Sequence, residues 1–421
     1  MMIISESEKL ERLQHNDPRL TIADFWLQSD TNLEELTQAL KRNSFLQSVG
    51  ILYTYKHDLL SEPITSSARI DHDSPYQNKS NREALLNFWE TLGKIPTLRR
   101  ISITGPASRM CAFDVSNLAL LLNYAHQCTM LCIGRVNVKG NENDFHELAA
   151  AIQQHPKLQE VCLSGNILFG GEDSVAGGQE TLAKALSMTP TLRTVQLSGI
   201  GIAREPRLTK QSLKLLFLSP YLKKLHLYDF SLTDEDIIVM EQTTLLNKTV
   251  CHLKELRLSC CELGASGMYA LSRLLSNTKS LEILHLWVSH FREMQGSIDV
   301  SYGALANALG RSPIRDVRII TAPKEQNMIF SPESQQMFCR MLHDNYCLEY
   351  LRVPCLPRYQ REINFYLKLN NLGRRRLLSI QQDHNLSLYT EKKEWMNALI
   401  ASRHDIRCLY HFLSMNPSIC Q

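Results

Sequence analysis

A six-residue apolar spacing, Leu-x-x-Leu-x-Leu with Val or Ile substituting, returns along this chain at a nearly fixed interval. It is clearest at Leu158/Val161/Leu163, Leu192/Val195/Leu197, Leu222/Leu225/Leu227, Leu253/Leu256/Leu258 and Leu281/Leu284/Leu286, where successive first residues are 34, 30, 31 and 28 positions apart. The spacing continues outward to Leu20/Ala23/Phe25, Leu46/Val49/Ile51 and Leu98/Ile101/Ile103 on one side, and to Ile314/Val317/Ile319 and Leu348/Leu351/Val353 on the other. With a degenerate copy starting at Met130 in MLCIGRV, eleven candidate strands result. A unit of about thirty residues cannot bury its apolar side alone, so copies must stack and share one continuous core. The 421 residues therefore need no division into separately cored domains.

A helical pattern precedes the strands. In NDFHELAAAIQQHPKLQEV, Phe145, Leu148, Ala149 and Ile152 recur at i, i+3, i+4 and i+7. Leu182, Ala185 and Leu186 repeat the pattern before Leu192, and Leu271, Leu274 and Leu275 before Leu281. Pro156, Pro190, Pro220 and Pro313 fall just ahead of their strands, where a residue that cannot continue a helix marks the helix-to-strand turn. Strand, loop and helix in a step near thirty make the long variety of leucine-rich repeat, and the layout resembles the ribonuclease-inhibitor-like subfamily. Parallel strands stack ~4.8 Å apart, whereas helices are ~10 Å wide. The helical side must splay. The expected fold is an α/β leucine-rich-repeat solenoid, a curved horseshoe with parallel strands on the concave face, helices on the convex face and a helical C-terminal cap.

The expected domains are a solenoid over 1–356 and a basic cap over 357–421. The polar, turn-rich stretch 61–83 reads as a long surface loop. Gly170–Gly178 lacks the Gly-Lys-Ser/Thr ending of a phosphate loop and reads as a flexible connection. The cap carries ten Lys and Arg against five acids. Its apolar residues Ile363, Tyr366, Leu367, Leu369, Leu372, Trp395, Leu399, Leu409, Phe412 and Leu413 suit helices that cover the end of a solenoid. FYLKLNNLGRRRLL, a Trp-containing helix and CLYHFLSMNPSIC together look like the C-terminal signature of a set of diatom leucine-rich-repeat proteins. NDPRLT near the N-terminus is similar to their repeat starts. The resemblance implies fold and lineage, and brings no activity with it.

A formal net charge of +3 gives no reason to expect nucleic acid or membrane as a partner. The N-terminus lacks a basic segment followed by an apolar run, and no window holds ~18 consecutive apolar residues, so neither a signal peptide nor a membrane span is expected. The twelve cysteines form no CxxC pair and no zinc-type spacing, and read as buried reduced thiols of a cytoplasmic or nuclear protein. No metal and no cofactor is implied. No H-E-x-x-H and no G-x-S-x-G occurs, and no nucleophile, base and orienting acid fall at consistent repeat positions.

Function must then lie on a surface. The residue between the last two apolar positions of each strand points away from the core: Ser102, Cys162, Gln196, His226, Arg257, His285, Arg318 and Arg352. Two residues further on stand Thr104, Ser164, Ser198, Tyr228, Ser259, Trp287, Ile320 and Pro354. His226, Tyr228, Arg257, His285, Trp287, Arg318 and Arg352 have the composition of a partner-binding hot spot. Glu255, Glu282, Asp316 and Glu349 offer these cations the alternative role of a charge-balanced, solvated face. The function expected is a non-enzymatic scaffold that holds a protein through its concave face. The alternatives are a binder of an anionic ligand or RNA through the basic row or the cap, and a hydrolase with an unrecognised site. Arg374–Arg376 reads as a solvated cap face, with phosphate binding or nuclear import as the other role.

Overall fold

The computed structural model describes residues 6–27, 31–53, 79–106, 111–139, 141–164, 176–199, 208–247, 252–291, 295–321, 331–374, 377–378 and 388–416. Residues 61–78 of the expected loop, 170–175 of the glycine-rich stretch, Arg375 and Arg376 lie outside them. The chain forms two compact units, Met1–Ser231 and Leu232–Gln421.

The strands of the first unit are β1 (Ile22–Leu27), β2 (Ser48–Tyr53), β3 (Arg100–Thr104), β4 (Cys111–Asp114), β5 (Met130–Gly134), β6 (Val136–Lys139), β7 (Glu160–Ser164), β8 (Thr194–Ser198) and β9 (Lys224–Tyr228). β1, β2, β3, β5, β7, β8 and β9 are neighbours in that order, all parallel. Those of the second unit are β10 (Glu255–Leu263), β11 (Ile283–Phe291), β12 (Asp316–Thr321) and β13 (Tyr350–Arg352), again parallel and in sequence order. A helix separates each strand of the main sheet from the next, and successive helices pack against one another within each unit. The architecture is an α/β leucine-rich-repeat solenoid, and the middle position of each signature, with Leu131 in the copy near Met130, lies on a strand of the main sheet.

The signature side chains form the core between strands and helices, none of them more than 6% exposed. The copy at Met130 is less degenerate than its sequence: Cys128, Leu131 and Ile133 fill the three core positions, a buried cysteine standing where the other copies have Leu or Ile. A buried thiol packs like a small hydrophobe.

Polar side chains seal the helix-to-strand turns. Three residues before the first core position stand Asn43, His155, Ser219 and Asn345. The Asn345 carboxamide oxygen accepts from the backbone N–H groups of Cys347 (2.7 Å) and Leu348 (2.8 Å), and its nitrogen donates back to the Leu309 carbonyl at 2.6 Å. His155 does the same with a ring. Nδ1 accepts from the N–H of Leu158 at 3.0 Å, and Nε2 donates to the Ala125 carbonyl at 2.9 Å. Ser219 Oγ donates to the Ser187 carbonyl at 2.6 Å. Each device satisfies backbone groups that a buried helix end would otherwise leave orphaned.

Four regions differ from the sequence expectation. Residues 79–83, expected in a loop, open the helix Lys79–Gly93, and Gly177 and Gly178 lie in the helix Ala176–Met188. β4 and β6 form a separate two-stranded parallel sheet that no repeat signature announces. Its Phe113 packs edge-on against Tyr53 at 5.2 Å and Trp89 at 5.4 Å, all fully buried. Arg374, expected on a solvated face, is buried at 3% exposure.

The C-terminal segment is helical over Pro357–Asn371, Leu388–Ser402 and Ile406–Met415. Leu369, Leu377, Trp395, Ala398, Cys408 and Phe412 form its own buried cluster. Gly373, at φ +99°, ends the first of these helices in the left-handed turn that glycine adopts without cost. That turn aims Arg374 at the preceding repeat. Its guanidinium donates to the carbonyls of Leu342 and His343, at the C-terminus of the helix Pro332–Asp344. The same group lies over the rings of Tyr346 (4.6 Å) and Tyr366 (5.5 Å). Burial pushes its pKa down, while the helix-end carbonyls favour the cation. Asn370 adds two donated bonds, to the carbonyls of Asn345 (3.0 Å) and Leu348 (2.7 Å).

Candidate binding face

Strands alternate their side chains, so every second residue of the main sheet faces away from the helices. In the second unit this open face consists of aligned rows. The first is Glu255, Ile283, Asp316 and Tyr350, and the second is Arg257, His285, Arg318 and Arg352. In a third, Trp287 stands beside Ile320. The register places Arg257, His285, Arg318 and Arg352 on one line.

Two of the three arginines on this line are engaged. Arg257 Nε donates to Glu255 Oε1 at 2.5 Å, and the Glu255 side chain is only 5% exposed. Arg318 grips Asp316 with two bonds, Nε to Oδ1 at 3.1 Å and Nη2 to Oδ2 at 2.9 Å. In both pairs the acid lies two residues earlier on the same strand, which puts it on the same face. The Arg318 guanidinium also lies 4.5 Å from the centre of the Tyr350 ring. His285 Nε2 is 3.3 Å from Asp316 Oδ2, out of line for a hydrogen bond. Burial lowers the His285 pKa, Arg257 and Arg318 lower it further, and Asp316 opposes them, so the ring is neutral at pH 7. Arg352 is exposed and has no ion pair among the described residues. Of the four acids expected to balance the row, Glu255 and Asp316 do so. Glu282 pairs with Lys254 at 2.8 Å and Glu349 with Arg315 at 3.9 Å.

Trp287 (49% exposed) and Tyr350 (42%) are the large aromatic surfaces of this face. Tyr350 is missing from the sequence-based candidates, yet the period of two would have found it, two residues before Arg352. Beside Tyr350 and Arg352 lies a groove of about 500 Å³ shared with the helix Pro357–Asn371, lined also by Gln360, Asn364, Lys368 and Asn371. Lys368 is tied to Asp405 at 2.7 Å.

The first unit's open face has another character. Its middle row is Asp24, Gly50, Ser102, Cys132, Cys162, Gln196 and His226, and the row beyond it ends at Ser198 and Tyr228. His226 occupies its predicted position but is 9% exposed, its ring 6.0 Å from that of Tyr228, so it offers a partner little surface. Exposed apolar side chains sit at the other end, Ile22 and Trp26 on β1. Cysteines divide by position: Cys128, Cys261, Cys339 and Cys408 are buried, whereas Cys132, Cys162, Cys347 and Cys355 are half-buried. The expectation of buried thiols holds for the first group only. No cluster of three or more metal-ligating side chains occurs among the described residues.

No protein-family model matches this sequence, and no curated protein matches it. Among solved structures, the chain is similar to the leiomodin-1 actin-binding site 2, with 14% identity over 50% of this chain and 98% of that one and a TM-score of 0.30. It is also similar to TLR13 in a complex with ssRNA13, with 14% identity over 72% of this chain and 36% of that one and a TM-score of 0.36. At such scores neither likeness says what this chain binds. No helix among the described residues is long and apolar enough to cross a membrane.

Proposed function

We propose that this chain is a non-enzymatic scaffold that holds a protein partner against the open sheet face of its second unit. The observation that carries the reading is the grouping of Trp287, Ile320, Tyr350, Arg318 and Arg352 on adjoining strands. Trp, Tyr and Arg dominate interface energetics because each buries a large rigid surface and keeps a polar handle. Arg318 is held by Asp316 and Tyr350 before any partner arrives, so little side-chain freedom is lost on binding. Glu255 and Asp316 offset Arg257 and Arg318, leaving Arg352 as the arginine of this row without an ion pair among the described residues. This charge balance favours a protein over RNA, whose phosphates need many unpaired cations. A ribonuclease-inhibitor-like curvature with the strands inside, a diatom-type lineage, a capping role for 357–421 and a cytoplasmic or nuclear location complete the proposal.

The test is capture from native extract by immobilised full-length protein, with and without nuclease. Trp287→Ala with Tyr350→Ala should lose the captured protein, while Lys184→Glu with Arg340→Glu, at exposed helix positions, should retain it. Equal capture by both would remove this face from the reading, and capture abolished by nuclease would favour the RNA alternative.

A further inference from the structure

We propose that Cys132 and Cys162 form a dithiol–disulfide couple on the open face of the first unit, oxidised by low-molecular-weight disulfides of the glutathione class. The two residues are registered partners on adjacent parallel strands, β5 and β7. Their side chains therefore leave the sheet on the same side, away from the helices. Neighbouring strands lie ~4.8 Å apart, toward the short end of the Cα separation that a disulfide spans, about 4.4–6.8 Å. A bond can close here without large backbone movement.

The surroundings favour reaction over burial. Both thiols are half-buried, unlike Cys128 and Cys339, whose burial pushes them up to about 12. The row on one side of them is Gly134 and Ser164, which leaves that side open, and the row on the other is Met130 and Glu160. A Cβ at Gly134 would meet nothing closer than 3.7 Å, which shows how open that position is. Ser164 Oγ lies 3.4 Å from Cys162 Sγ. The neighbouring Cys132 thiol pulls Cys162 down and the Ser164 hydroxyl adds to this, while Arg100 on the next strand favours the thiolate and burial and Glu160 oppose it. The Ser164 hydroxyl at 3.4 Å can hydrogen-bond a Cys162 thiolate, which makes Cys162 the attacking sulfur and Cys132 the one that resolves.

The chemistry is thiol–disulfide exchange. The Cys162 thiolate attacks one sulfur of the small disulfide RSSR. The S–S bond breaks, and RS⁻ leaves and takes a proton from water. Cys132 then gives up its proton and attacks the Cys162 sulfur of the mixed disulfide, expelling the second RS⁻, which is protonated. The two cysteines lose two electrons and RSSR gains them, leaving two RSH. Oxidation removes both thiol donors from the face and joins β5 to β7.

The test uses the full chain equilibrated in glutathione buffers of graded oxidation, quenched in acid, unfolded and alkylated, with each cysteine read by mass spectrometry. The expected result is a cross-linked Cys132–Cys162 peptide pair, lighter by two hydrogen atoms, that appears in oxidising buffer and disappears in reducing buffer while Cys128 stays reduced. Cys132→Ser should trap glutathione on Cys162, and Cys162→Ser should leave Cys132 largely unmodified. Cys132 and Cys162 alkylated as fully as Cys128 at every ratio would overturn the proposal without reliance on any variant. Glutathione trapped on Cys132 in Cys162→Ser as readily as on Cys162 in Cys132→Ser would overturn the assignment of the attacking sulfur.

Discussion

From β3 to β8 the middle row of the open face reads Ser102, Cys132, Cys162, Gln196; from β10 to β13 it reads Arg257, His285, Arg318, Arg352. The backbone beneath these two rows is alike, with parallel strands paired residue to residue, although the β10–β11 register shifts beyond Leu258. The core beneath is also the same, since Leu163, Leu197, Leu258 and Leu286 are all at most 2% exposed. The repeat thus commits the inward positions to apolar side chains and leaves the alternate positions free. The middle row of one face is small and uncharged, with a thiol pair. The other is aromatic and cationic, with its own counter-charges. Chemistry on this fold is decided by residues that stability hardly constrains.

The largest expected effect tests the part the two units share. Leu225→Ala in the first and Leu256→Ala in the second each empty a fully buried site, and each should cost roughly 2–5 kcal/mol. Because repeats couple to their neighbours, hydrogen exchange should rise first around the mutated strand. Opening of the first unit by Leu256→Ala, with β10–β13 still protected, would break the equivalence of the two cores.

Next comes the contact between the C-terminal helices and the last repeat. Arg374→Met keeps much of the stem but removes the donors to Leu342 and His343, leaving buried helix-end carbonyls without partners. The cost should be about 1–3 kcal/mol, with exchange increasing across 388–416 before β10 and β11 respond. Unchanged exchange in 388–416 would show that the apolar cluster around Trp395 holds those helices without the arginine.

Much of this was legible in the sequence. The core spacing located eleven strands, because burial acts on the same three positions in every copy. It also placed Arg257, His285, Arg318 and Arg352 in one line, because strand alternation follows from that spacing. Arg374 was misplaced for a physical reason: a run of arginines looks solvated unless one knows that Gly373 turns the chain and that helix-end carbonyls wait nearby. The pairing of Arg257 with Glu255 was visible as an i, i+2 pattern on one strand. Its consequence for mutagenesis was not, since Glu255 is nearly buried. Arg273 likewise holds the buried Glu241 at 2.7 Å, so exposure alone does not make an arginine neutral to substitution. Cys132 escaped because its repeat was read from Met130 rather than from Cys128.

A smaller effect distinguishes the turn devices. His155 accepts at Nδ1 and donates at Nε2, so it must be neutral, and burial lowers its pKa from 6.5. The unfolded chain then binds the proton more readily than the folded one. The stability contributed by the neutral ring is complete above pH 6.5 and is lost as pH falls toward the folded pKa, no more steeply than about 1.4 kcal/mol per pH unit. His285 and His411 are shifted in the same direction and add to the total loss. His155→Asn isolates one contribution, because Asn345 already does this work in another repeat without titrating. The variant should be less sensitive to acid than the wild type between pH 6.5 and 5 in urea titrations. Parallel pH curves for the two proteins would mean that the His155 ring does not need to be neutral.

The smallest effect on stability is expected where the effect on binding is largest. Arg352 is exposed and free of ion pairs among the described residues, so Arg352→Glu should change stability by no more than about 0.5 kcal/mol. Arg257→Glu differs, because it would face the buried Glu255 carboxylate with a second negative charge and should destabilise the second unit measurably. A loss of partner capture in Arg257→Glu would thus mix folding with recognition, whereas a loss in Arg352→Glu reports recognition alone. Salt sharpens the distinction. With Arg257 and Arg318 already matched to acids, the face carries little net charge, and raising the ionic strength should weaken association only modestly. The measurement is the dissociation constant of the captured partner for wild type and Arg352→Glu at two salt concentrations. Weaker binding in the variant with a shallow salt dependence would assign Arg352 a local contact. A steep salt dependence in the wild type would mean that the charge balance drawn from Glu255 and Asp316 does not describe the surface the partner meets.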